Sequence, residues 1–335
     1  MIRRQPSFFK QPREDLQEIA RTTLAAVVRG SYHTDFDEVD RAHPFPDLSA
    51  VPDATRYFPE DASADWPSVK QLPKTVATEL VLYRGSTLEA LRLCFSVEPQ
   101  WNGPSQPCPT ILNFASATSP GGECCSQILS AVSYFAPGGF LHGSRAQEET
   151  LARSSNLYSS LSSKMAAPFY APHDTQLDPR YSHGMGLTRG VRFVRDDAGT
   201  WVVPADADVL TSAAVNVRAL RTSLQESGKM DRGEDTPLPP AVVSDVHNVM
   251  RERMSRILYT LYRTGATDIV LGSFGTGSFG NNPEFVARTW AELLFAGEGV
   301  SPFWDLFRTV VFAVIDQSTF AVFQQVFARM GLLQA

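Results

Sequence analysis

Between Gly138 and Glu149 the chain reads Gly-Gly-Phe-Leu-His-Gly-Ser-Arg-Ala-Gln-Glu-Glu, a glycine turn that runs into two adjacent carboxylates. Glycine lets backbone N–H groups come close enough to cradle an anion. A carboxylic acid held a few residues further on can protonate a glycosidic leaving oxygen. These residue types in this order point to sugar chemistry beside a bound phosphate. Neighbouring side chains on a helix diverge by about 100°, so Glu148 and Glu149 cannot both address one bond. One would act on the linkage while the other holds sugar hydroxyls. The competing reading is a pair of surface carboxylates that the macrodipole favours at a helix N-terminus; the flanking glycines turn the balance toward chemistry. Arg145 and Arg153, one on each side, read as partners on the helix surface.

A second glycine cluster runs from Gly272 to Asn281 and fits G-x-G-x-x-G at Gly275, Gly277 and Gly280. In a dinucleotide-binding fold that fingerprint opens a domain with several β-α units still to come and an acidic residue about twenty positions on. Here one strand follows, and its closing Asp316 lies thirty-six residues past Gly280. No lysine stands in Walker A position. A phosphate loop of another α/β fold therefore fits better than a Rossmann turn, with a plain tight turn as the bland alternative. Six histidines make no H-E-x-x-H and no repeated spacing, so no metal is expected. No G-x-S-x-G elbow surrounds any serine.

These residues must be carried by a scaffold, and composition bounds it. The chain has 335 residues, 43% hydrophobic and 20% charged, which suits one globular α/β domain with extensions. No apolar run approaches the eighteen or so residues of a membrane span, so no membrane partner is expected. The start of the chain lacks the apolar core of a secretion signal, which predicts an intracellular protein, in cytoplasm or nucleus. Cys94, Cys108, Cys124 and Cys125 form neither a disulfide framework nor a zinc spacing and read as free thiols. A net charge of −6 argues against a broad basic surface for sequence-specific nucleic-acid binding. It leaves room for an anion held by backbone N–H groups and helix N-termini.

Residues 13 to 30 carry apolar positions at helical spacing and stop at Gly30, which predicts an N-terminal helix. Residues 43 to 73 are proline-rich and read as an extended arm. Glu79 to Tyr83 reads as a strand, Ser86 to Glu89 as a capping box that opens a helix running to about Phe95, and Thr110 to Ala115 as a buried strand that delivers Asn113 and a polar loop. A helix is expected from Ser144 to Leu161, a hairpin over 191 to 203, another strand over 208 to 214, and a mobile loop over 226 to 240. Further on come a helix over 242 to 263, a strand over 267 to 274, a helix capped by Asn282 with Pro283 at its first position, a strand over 309 to 315 and a last helix over 318 to 330. Strands and helices alternate, the signature of a three-layer α/β/α domain with its ligand loops at the strands' carboxyl ends.

Several segments resemble the microbial and fungal poly(ADP-ribose) glycohydrolases: NFASATSPGG from Asn113, GGFLHGSRAQEETLARSSNLY from Gly138, DVLTSAAVN from Asp208, RMSRIL from Arg253 and LGSFGTGSFGNNPEFVA from Leu271. The resemblance covers most of the chain. It implies a macrodomain-like fold with a mixed sheet, with residues 1 to 75 as N-terminal helix and arm and 76 to 335 as the core. It further implies hydrolysis of the ribose–ribose O-glycosidic bond of poly(ADP-ribose), with no cofactor and no metal, by a monomer whose partners are poly(ADP-ribose) or ADP-ribose and ADP-ribosylated proteins. Carried over by motif, Glu149 is the general acid whose anion then activates water, and Glu148 binds ribose hydroxyls. Gly121, Gly122, Gly138, Gly139 and Phe140 line the diphosphate, with Gln147 in the same signature. Gly275, Thr276, Gly277, Ser278, Gly280 and Asn281 belong to the second phosphate loop. Phe279 packs on the distal ribose, and Asn113 touches that same sugar. An acid near neutral pH needs a raised pKa, and partial burial of Glu149 beside Glu148 acts in that direction.

Two positions depart from the family pattern. Val215 stands before Asn216 where proline is usual. More seriously, the family's glycine triplet is split by residues 123 to 138, sixteen in all; without them the chain reads SPGGGFLHGSRAQEE. Two origins fit. Gly-Glu-Cys and Ala-Pro-Gly can be encoded by strings that resemble a splice donor and acceptor, so the segment can be a retained intron of whole-codon length; alternatively it is a loop insertion of a kind that chain entropy tolerates. Because it interrupts the diphosphate loop, a catalytically impaired ADP-ribose reader, and a hydrolase of mono-ADP-ribose, stand as alternatives to a polymer-cleaving enzyme.

Overall fold

The computed structural model describes residues 11–34, 42–51, 54–71, 77–94, 108–122, 138–175, 178–231, 233 and 236–333. Helix α1 (Arg13–Arg29) turns its small and apolar positions Leu16, Ala20, Thr23, Ala26 and Val27 inward and stops at Gly30, which takes a left-handed φ of 75°. Two short strands, β1 (Ser31–Tyr32) and β2 (His43–Pro44), pair antiparallel. The proline-rich arm is more than a strap, for it contributes β3 (Thr55–Phe58), which pairs antiparallel at the edge of the main sheet.

Strand β4 (Glu79–Tyr83) is followed by α2 (Thr87–Cys94). Its capping box forms as expected: Ser86 N donates to Glu89 Oε2 and Glu89 N to Ser86 Oγ, each at 3.0 Å. Central strand β5 spans Thr110–Phe114. The expected helix from 144 to 161 is in fact two, α3 (Gln147–Ser154) and α4 (Leu157–Leu161). Ser155 leaves the helix to bridge Phe193, and its Oγ, which accepts from Leu157 N at 3.1 Å, starts the next turn. Helix α5 (Ala167–Thr175) was not anticipated.

The hairpin around Asp197 is far longer than its turn signal suggested. Strand β6 (Met185–Arg195) pairs antiparallel with β7 (Trp201–Ser212), and the strand expected over 208 to 214 is the second half of β7. Then come α6 (Val217–Glu226), α7 (Pro240–Arg263), β8 (Asp268–Gly272), α8 (Pro283–Leu294), β9 (Thr309–Ala313) and α9 (Gln317–Arg329). Asn282 caps α8, its Oδ1 accepting from Phe285 N at 3.1 Å, with Pro283 at the first position.

The main sheet has the order β3-β6-β7-β5-β8-β9-β4. Strands β7, β5, β8, β9 and β4 run parallel, and β6 runs against its neighbours. Alternate residues of one strand feed opposite layers, as the two-residue period of a strand requires. Leu112, Leu271, Val310 and Phe312 pack with α7, α8 and α9, whereas Ile111, Val270 and Val311 pack with α2, α3 and the hairpin. A three-layer α/β/α fold with a mixed sheet results. The parallel strands therefore deliver the loops after β5, β7, β8 and β9 to one edge. No helix among the described residues is long and apolar enough to cross a membrane.

Candidate active site

Beyond Phe114 the β5 loop runs to Gly121 and Gly122, with φ of 75° and 93°. Gly122 disfavours any side chain, because its φ of 93° strains other residues and a Cβ there would press on the Glu149 carboxylate, 2.2 Å from Oε1. The inserted segment leaves here. Residues 123 to 137, Cys124 and Cys125 among them, lie outside the described residues, but the two ends are in contact: Gly139 N donates to Gly122 O at 2.9 Å and Phe140 N to Gly121 O at 3.1 Å. A single 3-10 turn, Gly139–His142, then leads through Gly143 to α3. Gly121, Gly138 and Gly139 thus build a hydrogen-bonded turn behind the cleft, and Gly122 is the member that lines it.

Helix α3 brings both carboxylates indoors, contrary to a surface pair. Glu148 is 1% exposed and Glu149 5%. Ser116 N donates to Glu148 Oε2 at 2.7 Å, and Asn113 Nδ2 reaches Oε1 at 3.5 Å. Burial pushes the Glu148 carboxyl up to about 8, and the neighbouring Glu149 adds to the push. At neutral pH Glu148 is therefore mostly protonated. Arg153, read from the sequence as a surface partner, is buried and donates to Ser144 O and Thr150 Oγ1; its pKa falls to about 10, chiefly from desolvation, against the pull of the Glu149 carboxylate.

The shift of Glu148 has a consequence for stability. Its folded-state pKa lies above the ordinary value of 4.5, so the native state holds a proton that the unfolded chain has released. The contribution is fully present below about pH 4.5 and is lost as pH rises toward 8. Glu148→Gln, neutral at every pH, is expected to flatten the fall of the unfolding midpoint between pH 5 and 8. Thermal melts of both proteins across that range check it, and parallel curves would refute it.

On the opposite wall lies the loop after β8. Gly275 takes φ 75°, and a Cβ there would sit 2.5 Å from Ala214 Cβ and 2.6 Å from Asn281 Nδ2. Gly275, Thr276, Gly277, Ser278 and Phe279 line one cleft together with Gly122, Ser116, Glu148 and Glu149. The cleft measures about 820 Å³, within the range of small-molecule sites.

Five residues assigned to ligand contact from the sequence also brace the site, and Gln147 among them lines the cleft. Asn113 is fully buried between Glu148 and Thr211. Gln147 accepts from Phe114 N at 2.7 Å and donates to Leu112 O at 2.8 Å and Thr87 Oγ1 at 3.1 Å, which pins α3 to β5. Asn281 donates to Val215 O at 2.8 Å and Gly275 O at 3.0 Å and so closes the second loop. Phe140 packs inside against Tyr158, ring centres 4.7 Å apart, and Gly280 passes under the stem of Arg218.

Sequence reasoning missed Ser116, Arg218, Asp316 and Thr319, all of which line the cleft. Arg218 lies in the first turn of α6, where a cation opposes the helix dipole. That anomaly was the available signal, hidden because α6 itself was not anticipated.

The family model of the microbial-type PARG catalytic domain, PARG being poly(ADP-ribose) glycohydrolase, matches residues 20–196. Poly(ADP-ribose) glycohydrolase from Thermomonospora curvata bound to the inhibitor ADP-HPD is 32% identical, with 93% of this chain and 99% of that chain covered and a TM-score of 0.70. The enzyme from Deinococcus radiodurans in complex with ADP-ribose is 28% identical, over 87% of this chain and all of that one, with a TM-score of 0.66. A search of curated proteins gives no match.

Proposed function

We infer that this chain, which belongs to the microbial-type poly(ADP-ribose) glycohydrolase family and hydrolyses the ribose–ribose bond of poly(ADP-ribose), does so with Glu149 as its acid and base. The reading rests on one observation: both carboxylates lie in the same cleft as the Gly275–Phe279 loop. In our assignment the backbone around Gly122 and Gly275 to Ser278 takes the diphosphate. Phe279 packs on the distal ribose, and Glu149 meets the oxygen that leaves its anomeric carbon. Glu149 gives its proton to that oxygen, the sugar passes through an oxocarbenium-like state, and the Glu149 anion then draws a proton from the attacking water.

Glu148 serves differently. A carboxyl kept mostly neutral near pH 7 can donate a hydrogen bond to one ribose hydroxyl and accept from another, without adding negative charge beside a diphosphate. Incubation with poly(ADP-ribose) and chromatography of the products test the reading. Release of ADP-ribose is the expected result; tight binding with no release would make the chain a reader.

Arg218 supplies a cation on the wall of the second loop. Its backbone N donates to Phe279 O at 3.2 Å, and no ion pair engages its guanidinium among the described residues. The same diphosphate is charged before and after cleavage, so this contact contributes equally to substrate and transition state. Arg218→Ala is expected to raise KM for the polymer about tenfold, the equivalent of one such contact, with kcat within about twofold. Steady-state kinetics at fixed ionic strength decide it, and an unchanged KM would count against the contact.

A further inference from the structure

Arg253, in the middle of α7, is fully buried, and no carboxylate pairs with it among the described residues. Three backbone carbonyls take its donors: Ala213 O at 2.9 Å, Arg180 O at 2.7 Å and Tyr181 O at 2.9 Å. Desolvation pulls its pKa down to about 10. A buried cation without a counter-ion is costly, and an apolar side chain of similar volume would fill the space with less penalty. The carbonyls it grips belong to one segment that lines the cleft and one that packs on its aromatic wall. Ala213 precedes Ala214, which lines the cleft and packs under Gly275, and Val215, whose carbonyl closes the second loop. Tyr181 takes φ 56°, a left-handed conformation uncommon for a residue with a side chain. Its ring centre lies 6.1 Å from that of Phe279, and Asn216 N donates to Pro179 O at 2.8 Å, which ties the same segment to the end of β7.

We propose that Arg253 is a positioning residue for the hydrolysis: by holding the carbonyls of Arg180, Tyr181 and Ala213 it fixes Tyr181 in its left-handed conformation, and the Tyr181 ring sets Phe279 at the sugar end of the cleft. The proposal rests on the assignment of Phe279 to the distal ribose. A backbone strut of this kind fixes an aromatic wall more tightly than loop packing, because three carbonyls converge on one planar donor fork. An arginine that merely stapled α7 to the sheet would have no reason to hold a strained tyrosine against the cleft wall.

The ring is removed most cleanly at Tyr181 itself. Tyr181→Gly is at ease at φ 56° and keeps the carbonyl that Arg253 grips, so the backbone course is kept while the ring's contacts with Phe279 and His173 are lost. Its kcat on poly(ADP-ribose) should fall about tenfold to hundredfold, the effect of a sugar displaced by less than about an ångström. Its Kd for ADP-ribose by calorimetry should stay within about twofold, since the diphosphate contacts remain. Tyr181→Phe, which keeps the ring, should match the parent, and Arg253→Lys should share the kcat loss of Tyr181→Gly. Parent activity in Tyr181→Gly or in Arg253→Lys overturns the proposal, and so does an equal loss in Tyr181→Phe. The parent chain assayed alongside separates the two failures: if it releases no ADP-ribose, the enzymatic reading falls and the positioning role falls with it.

Discussion

Replacing Glu149 by glutamine should lower the release of ADP-ribose from poly(ADP-ribose) by about a thousandfold, within the span usual for loss of a general acid. Glutamine keeps the shape of a side chain that is 5% exposed and pressed against Gly122, so the backbone turn should hold and ADP-ribose affinity should change little. It cannot give a proton to the leaving oxygen or take one from water. Quantifying released ADP-ribose and measuring ADP-ribose binding on the same preparation separates chemistry from binding. If Glu149→Gln retained a third of the parent rate, the acid would have to be sought elsewhere, with Glu148 the nearest candidate. The paired experiment is informative because the two carboxylates differ in surroundings. Glu148 accepts a backbone N–H from Ser116, and its carboxyl is pushed up by desolvation. Glu149 packs on a glycine at the cleft wall. Loss of Glu148 should therefore read out on substrate positioning and on the pH dependence of stability.

The elements that carry this site were legible where a local signal sufficed. Ser86 with Glu89, and Asn282 with Pro283, announce helix starts through chemistry confined to four residues, and both caps form. The apolar spacing of α7 likewise needs only the helix itself. What stayed hidden was decided at a distance. The break between α3 and α4 follows from Ser155 bridging Phe193 across the fold. The first half of β6 carries Gly186 and Gly190 and runs into a register shift between Thr188 and Val191, so it lacks the regular pattern that marked the second half. For the site, the glutamates and the Gly275–Phe279 loop were found through their glycines, which impose a backbone shape that few other residues can take. Gln147 and Asn281 mark the limit of such signals, because an amide side chain can satisfy a ligand or a buried carbonyl equally well, and the packing adds the bracing role that the sequence does not show.

Deleting residues 123 to 138 should give a protein that folds, unfolds at a higher temperature and cleaves poly(ADP-ribose) at least as fast as the full chain. The physical reason lies at the two ends of the segment. Gly122 O and Gly139 N are 2.9 Å apart and hydrogen-bonded, so the two ends already face each other. Direct joining replaces that hydrogen bond with a C–N bond of about 1.33 Å, a shift of a few ångström with a turn of the peptide plane, at two glycines able to make it. Closing a loop of sixteen residues costs on the order of 2 kcal/mol more than closing a minimal one, and the deletion removes that cost from the folded state. It also restores an uninterrupted run of glycines beside Glu149, whose carboxylate already lies against Gly122. Melting curves and polymer cleavage on the two proteins decide the matter. A deletion variant that folds but has lost activity would show that the segment contributes to the site, and would favour a functional loop over a retained intron.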